Sequence, residues 1–487
     1  MKPDEKQKLD RMFNPRGLAV FGGVKTNGSF GQLNLLTQIS YGYKGKLYPI
    51  HPKGGEIAGL KIYKSISEVE GPVDLASISV PAKAVPQVLR DCLENGVTGA
   101  EIHTSGFEET GEKEGVALQE EINQIAKQGI RIVGPNCFGI YCPKGGITIM
   151  PGAEFSKESG PVAMICQSGG VAADFGYEAE MVGLGVSKVI SFGNGCDLGA
   201  VEFLDYLAED PETSYITAYL EGVRDGGRFL EVIKGVTPKK PVIVWKGGLT
   251  PLGGKATKSH TGSMGGEAHI WNGALTQAGA VAVQGMDEIS DTLMALAHLK
   301  STGRRIALMG GGGAIGVFSS DLVYRHGLEM PPFSPETQKI LKNWFPTPGN
   351  SVVNPLDTGT PILPLETVEG LAREVLTREP VDVLVIILLL RSFEVVSRIF
   401  MESGGMEPPP RGSYLQGVLE IISRLKEETG KDIVAAFENR AHRVEHVEVE
   451  AVSRSMRKKY LSKGIPVYPN VERALRGIKN AWRGRCH

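Results

Sequence analysis

The residues of this chain best suited to chemistry gather around His260, in the stretch Lys258-Ser-His-Thr-Gly-Ser-Met-Gly-Gly266. A neutral imidazole nitrogen is a good nucleophile near pH 7, where much of it is unprotonated. The stretch follows a strand-like run, Pro241 to Lys246, and a second glycine-rich stretch, Gly247 to Gly254. The sequence therefore predicts a flexible loop whose histidine can be reached and can move. Taken alone, it is as readily a surface histidine without a role.

Other segments share the same region of chemistry. Ile165-Cys-Gln-Ser-Gly-Gly-Val171 reads as a strand entering a helix through a turn of small residues. A helix starting at Ser168, Gly169 and Gly170 offers N–H groups, a hydroxyl and the positive end of a dipole, which suits phosphate. By itself Ser168 is equally a helix N-cap. Glu221, in Ala218-Tyr-Leu-Glu-Gly222, falls at a strand's carboxyl end. There a carboxylate beside an imidazole would fix its tautomer and raise its nucleophilicity, although the residue also reads as a surface glutamate.

Near the N-terminus, Val20-Phe-Gly-Gly-Val-Lys-Thr-Asn-Gly-Ser-Phe-Gly31 joins a strand to a helix. Glycines there let backbone N–H groups approach a phosphate, although the spacing is not a clean GxGxxG. Where a dinucleotide site carries an acidic residue, the chain has Ile50-His-Pro-Lys-Gly54. Lys53 disfavours NAD and suits a phosphorylated nucleotide such as coenzyme A; otherwise it is a solvated charge. Ile102-His-Thr-Ser-Gly-Phe107 and Gly134-Pro-Asn-Cys-Phe-Gly139 end two further strands on the ligand side, or are ordinary turns.

These segments must be held by a large α/β scaffold. With 487 residues the chain is long enough for about three domains. A 41% hydrophobic, 22% charged composition is that of a globular protein, and a net charge of −2 argues against general nucleic-acid or anionic-membrane binding. The longest apolar run, Val383 to Leu390, is far short of the ~20 residues a membrane helix needs and fits a buried parallel strand. The charged N-terminus, Met1 to Asp10, is no secretory signal. Six cysteines without a CxxC pair or zinc-ligand spacing predict reduced thiols in a cytoplasmic protein, with no metal site.

Strand-like runs at 17–21, 46–50, 75–80, 99–103 and 130–133 alternate with helical runs such as 85–94 and 115–128. That alternation predicts a doubly wound parallel sheet. A second α/β unit starts near Gly160, with strands at 161–165, 186–190, 215–220, 241–245 and 280–283 and a closing helix over 286–299. After a linker at 300–304, a third has strands at 305–309, within 381–390 and at 432–437, and ends after Pro466-Val-Tyr468. The segment from Ser403 to Gly412 is expected to be a loop or insert.

Together these motifs resemble the α subunit of nucleoside-diphosphate-forming acyl-CoA synthetases, relatives of succinyl-CoA synthetase. Ser259-His-Thr-Gly-Ser263 carries the resemblance most strongly, followed by Gln167-Ser-Gly-Gly170, Leu220-Glu-Gly222, Gly134-Pro-Asn-Cys137 with Gly139, and Asn354-Pro-Leu-Asp357. It implies an N-terminal Rossmann-like CoA-binding domain (1–145) followed by two flavodoxin-like doubly wound domains (146–300 and 301–487). His260 would accept a phosphoryl group, Glu221 would orient it, and Ser168, Gly169 and Gly170 would hold phosphate. Gly23, Asn27, Gly28, Gly31, Pro52, Lys53, Thr104, Ser105 and Asn136 would bind coenzyme A.

The implied reaction converts acyl-CoA, NDP and phosphate to acid, NTP and coenzyme A through an acyl phosphate and phosphohistidine. The three units leave no ATP-grasp module, so ADP/ATP or GDP/GTP with Mg is expected on a separate ATP-grasp β subunit, in a hetero-oligomer such as α2β2. Two departures bear on ligand detail: Gly22-Gly-Val24 replaces the family's Gly-Ala-Ser, and Met309-Gly-Gly-Gly-Gly313 replaces Ser-Asn-Ala-Gly-Gly. The alternative is a non-catalytic CoA- or acyl-CoA-binding protein of the same fold.

Overall fold

The computed structural model describes residues 1–261, 267–345, 350–360, 362–390, 412–438 and 443–485, with isolated positions between 392 and 404; of 258–261 it describes the backbone. The chain divides into two compact units, Met1–Met286 and Asp287–Cys486.

The first unit holds two sheets. One is parallel and five-stranded, in the spatial order Lys46–Ile50, Gly17–Phe21, Leu75–Ile78, Gly99–Ile102, Arg131–Val133. Its strands are apolar because helices cover both faces. Chain order reverses beside Gly17–Phe21, and the crevice beyond the carboxyl ends of that strand and Leu75–Ile78 is where such sheets take ligands. The charged N-terminus forms a helix, Pro3–Phe13, whose Leu9, Met12 and Phe13 are buried. Their spacing of three and four residues places them on one face.

The second sheet runs Val281–Val283, Val242–Lys246, Tyr215–Leu220, Ser159–Cys166, Val186–Ser191 and Gly139–Tyr141. All pair in parallel except Gly139–Tyr141, which runs antiparallel to Val186–Ser191. A boundary at 145 puts this last strand with the first domain, yet it is the second sheet's edge. The chain is therefore stitched across the two sheets, and one continuous core includes Leu18 and Val133 from the first and Ile165, Ala218 and Val244 from the second.

Within the strand Val186–Ser191, Lys188 is 1% exposed. Its Nζ is 2.8 Å from Asp210 Oδ2, and Thr213 Oγ1 donates to the same oxygen at 2.6 Å. Burial pushes the Asp210 carboxyl up, but the bonds from Lys188 and Thr213 outweigh it and hold it below the usual range. Removing one partner of a buried pair strands the other, so Lys188→Met should lower stability by about 3 kcal/mol at pH 7. A carboxyl with a depressed folded pKa contributes stability that is complete above the ordinary aspartate range and lost as pH falls through its folded pKa. The gap between wild type and variant should accordingly narrow in acid, as urea denaturation at pH 7 and pH 3 would measure.

The second unit contains a parallel sheet in the order Ile306–Gly310, Val383–Leu389, Asp432–Glu438, Val467–Tyr468. The helix Met286–His298, which closes the second domain in the sequence reading, packs here instead. Its buried Asp291 accepts from Arg473 and Arg476, and Tyr468 donates to its carbonyl. Those arginines belong to a final helix, Val471–Arg485, which follows the last predicted strand. Asn354 of the Asn-Pro-Leu-Asp motif is a structural brace, accepting from Leu308 N and donating to Ile306 O and Pro331 O. The expected loop from Ser403 to Gly412 falls almost entirely outside the described residues. Among the described residues, no helix is long and apolar enough to cross a membrane. Cys92, Cys137, Cys142, Cys166 and Cys196 are free and buried.

Candidate active site

The central strand of the second sheet, Ser159–Cys166, delivers Gln167 and Ser168 to the start of the helix Gly169–Met181. Ser168 is extended and caps the helix, its Oγ accepting from Val171 N at 3.4 Å. A Cβ on Gly169 would sit 2.5 Å from the Phe138 ring, so glycine is required for that aromatic to close over the helix start. At Gly170 the nearest atom to an added Cβ is Ser168 Oγ at 3.9 Å. The first turn of a helix leaves its N–H groups without intrahelical partners, and here they sit at the positive end of a helix of 13 residues.

Glu221 follows the strand Tyr215–Leu220 and is 5% exposed, which excludes a surface glutamate. Gln167 ties it to the helix start: its Oε1 accepts from Glu221 N at 2.5 Å and from Gly222 N at 2.9 Å. Tyr219 donates to Glu221 Oε1 at 3.1 Å. Burial pushes the Tyr219 hydroxyl pKa up, and the Glu221 charge adds to it. Lys246, at the end of the neighbouring strand, donates to the Glu221 carbonyl at 2.9 Å. Burial lowers the Lys246 pKa, while Glu221 pulls it back up. One side chain, Gln167, thus sets the helix start and the carboxylate in register.

His260 differs from its sequence expectation. Its backbone lies in a helix, Pro251–Thr261, and not in a flexible loop. Thr250 accepts from Gly253 N at 3.0 Å just before Pro251, so a capping residue followed by proline at the first helical position starts the helix. That signal is masked in the sequence by the surrounding glycines. Gly253 and Gly254 each weaken the helix by roughly 1 kcal/mol relative to alanine, so it is only loosely committed. The helix packs against the Glu108–Thr110 turn beyond the first sheet. Gly262 to Gly266 of the motif lie outside the described residues.

The candidate coenzyme A residues cluster beyond the carboxyl ends of the first sheet. Gly23 has φ +63°, and its carbonyl accepts from Ser29 Oγ at 2.6 Å. Ser29, unremarked in the sequence, caps the helix Phe30–Tyr41. Gly31 lies so near Gly22 that a Cβ would be 1.7 Å from its carbonyl oxygen. Asn27 and Gly28 are exposed on the turn, where Gly28 N donates to Gln32 Oε1 at 3.0 Å. Pro52 and Lys53 are exposed on the next turn, with Lys53 N donating to His51 Nδ1. Lys25, a further cation whose spacing does not mark it, donates to Gly54 O beside them. Thr104 donates to Val80 O at 2.6 Å and accepts from Asn136 N at 3.0 Å, and Ser105 is exposed. Asn136 takes φ +59°.

The two sets meet at a cavity of about 200 Å³. Phe30, His103 and the loop Asn136–Phe138 wall it on one side, and Gln167 to Gly170 on the other. Spacing singles out Ser168 and Asn136 but not His103, whose role depends on neighbours remote in the chain.

This arrangement, a Rossmann-like crevice whose Asn136–Phe138 loop meets, across one cavity, a helix start tied to a buried carboxylate, is that of an α/β enzyme. Residues 16–143 match the CoA binding domain family and residues 159–296 the succinyl-CoA ligase like flavodoxin domain. The chain is 36% identical to the α subunit of Pyrococcus furiosus acetate–CoA ligase [ADP-forming] II, over 88% of this chain and 90% of that one. It is 33% identical to the α subunit of the same organism's acetate–CoA ligase [ADP-forming] I, over 98% and 97%. A solved acetyl-coenzyme A synthetase 1 of Ca. Korarchaeum cryptofilum, in complex with phosphate and ADP, superposes with a TM-score of 0.80 at 31% identity, covering 98% of this chain and 96% of that one. The chain belongs to the α subunits of ADP-forming acyl-CoA synthetases, which are acid–thiol ligases.

Proposed function

We propose that the chain carries the thioester and phosphohistidine steps of acyl-CoA + NDP + phosphate ⇌ acid + NTP + coenzyme A. Coenzyme A would lie along the first sheet's carboxyl edge, between the Gly23, Asn27, Gly28 and Gly31 turn, Pro52 and Lys53, and Thr104, Ser105 and Asn136. The tight Gly22–Gly31 approach supports this, because it draws the helix start against the turn where a phosphate would sit.

A phosphate oxygen attacks the thioester carbonyl, the C–S bond breaks, and coenzyme A leaves as the thiol with the proton from phosphate. The acyl phosphate's phosphoryl group is held at the Ser168 to Gly170 helix start. A His260 nitrogen attacks phosphorus, the P–O bond to the acyl group breaks, and the carboxylate departs. Glu221 orients the imidazole and balances its developing positive charge. An oxygen of NDP then takes the phosphoryl group as the N–P bond breaks. The nucleotide and its Mg are assigned to an ATP-grasp β subunit in a hetero-oligomer such as α2β2, a reading supported by relatives named as α subunits. Buried free cysteines support a cytoplasmic setting.

The observation that carries this reading is Gln167, which binds the anion-site turn and the Glu221 turn into one device. The test is to incubate the purified chain with labelled phosphate and a panel of acetyl-, propionyl- and benzoyl-CoA. Acid-labile, alkali-stable label is expected on the protein, and the best donor names the class of acid. Absence of label with every donor, also when a candidate β subunit is added, would leave a CoA-binding protein.

A further inference from the structure

A chain of buried polar side chains runs beneath the cavity and ends on His103. Thr148, on the segment leading into the second sheet, donates its N–H to Gln38 Oε1 at 3.1 Å, and its carbonyl accepts from Gln38 Nε2 at 2.5 Å. These backbone groups fix which end of the Gln38 amide is which. Gln38 Nε2 then donates to Asn34 Oδ1 at 3.1 Å, which turns Asn34 Nδ2 toward His103 Nε2, 3.1 Å away. Ser77 Oγ lies 2.9 Å from the same nitrogen. On the other side of the ring, His103 Nδ1 is 3.0 Å from the Cys137 carbonyl, which can only accept. The Cys137 carbonyl therefore fixes a proton on Nδ1, while Nε2 faces Asn34, Ser77 and, at 3.5 Å, the Glu101 carboxylate.

With both nitrogens engaged, His103 is neither a nucleophile nor a base. Its side chain is 2% exposed. The bond it makes holds the carbonyl between Asn136 and Phe138, the loop that walls the cavity. Glu101 holds the strand that follows this loop, its Oε2 accepting from Ile140 N at 3.1 Å. The His103 ring also meets Phe30 at 4.9 Å, Phe30 meets Phe138 at 6.0 Å, and Phe138 fills the space a Cβ on Gly169 would need. A shift of Cys137 thus passes directly to Phe138 and the anion-binding helix start.

We propose that His103 is a positioning residue for thioester cleavage, holding the Asn136–Phe138 loop so that the thioester meets phosphate at the Ser168 helix start. The inference rests on the proposed function, and it concerns the step before His260 acts. A fully satisfied buried network costs more to break than a lone contact, which suits a device that must hold a loop to a fraction of an ångström.

The experiment separates the two phosphoryl donors. Label on the chain is followed from acyl-CoA plus labelled phosphate, using the best donor of the panel, and from labelled acetyl phosphate, which bypasses thioester cleavage. His103→Leu should slow labelling from acyl-CoA by at least ~10-fold with a raised KM for acyl-CoA, and leave labelling from acetyl phosphate within about twofold. His103→Asn, which keeps a donor at the Nδ1 position, should recover most of the loss. Equal loss from both donors, no loss from either, or no recovery in His103→Asn overturns the role. If His103→Leu does not fold, Ser77→Ala carries the test, with a fall of roughly threefold expected from acyl-CoA alone and an unchanged rate overturning the role. Wild-type chain that takes label from neither donor defeats the proposed function itself, a result distinct from any variant pattern.

Discussion

Replacing His260 by alanine should leave no acid-labile phosphate on the chain and slow net NTP formation on the order of 10⁴-fold or more, as expected for loss of a covalent nucleophile. In the proposed sequence of steps, thioester cleavage lies upstream and does not use the imidazole. Labelled coenzyme A should therefore still exchange into acyl-CoA in the variant, and only when phosphate is present. Rapid quench for protein-bound label and the exchange assay together locate the block. Undiminished label on His260→Ala would place the nucleophile elsewhere. Loss of phosphate-dependent exchange would mean that His260 also shapes the acyl phosphate site.

Gly170→Asp should separate activity from stability. An added Cβ at Gly170 meets nothing closer than Ser168 Oγ at 3.9 Å, so the side chain can be accommodated. Replacing a helical glycine removes a backbone entropy cost, and an acidic residue in the first turn faces the positive end of the dipole. Stability should rise, by about 0.5–1 kcal/mol in denaturant titrations. The same carboxylate would occupy the proposed anion site and repel phosphate. Labelling from acyl-CoA and from acetyl phosphate should both fall by roughly 100-fold, the scale of removing one preorganised electrostatic contact. A variant that is more stable and fully active would exclude this helix start as the phosphate site. Gly169→Asp cannot serve as the test, because the Phe138 ring already fills that volume.

The sequence alone carried the strand–helix alternation, the parallel sheets and their ligand edges. Apolar runs such as Leu75–Ile78 and Val242–Lys246 have no other stable place than between two helical layers. It also placed Ser168, Glu221 and the Gly23–Gly31 turn at strand ends, because turn chemistry at the end of a strand is local and glycine and serine mark it. It misjudged the segment before His260, where glycines hid a Thr250–Pro251 helix start.

The tertiary structure decided what depends on residues far apart in the chain. Gly139–Tyr141 joins the second sheet because its hydrogen-bonding partners lie about fifty residues on, at Val189 to Ser191. Glu221 is buried because Gln167 and Lys246, from the ends of the two flanking strands, close around its turn together with Tyr219 of its own strand. His103 is held between the Cys137 carbonyl and a network that reaches Thr148 through Asn34 and Gln38 on a different element. Local pattern determines which residues can do chemistry; only closure of the long-range contacts decides which of them are held, and against what.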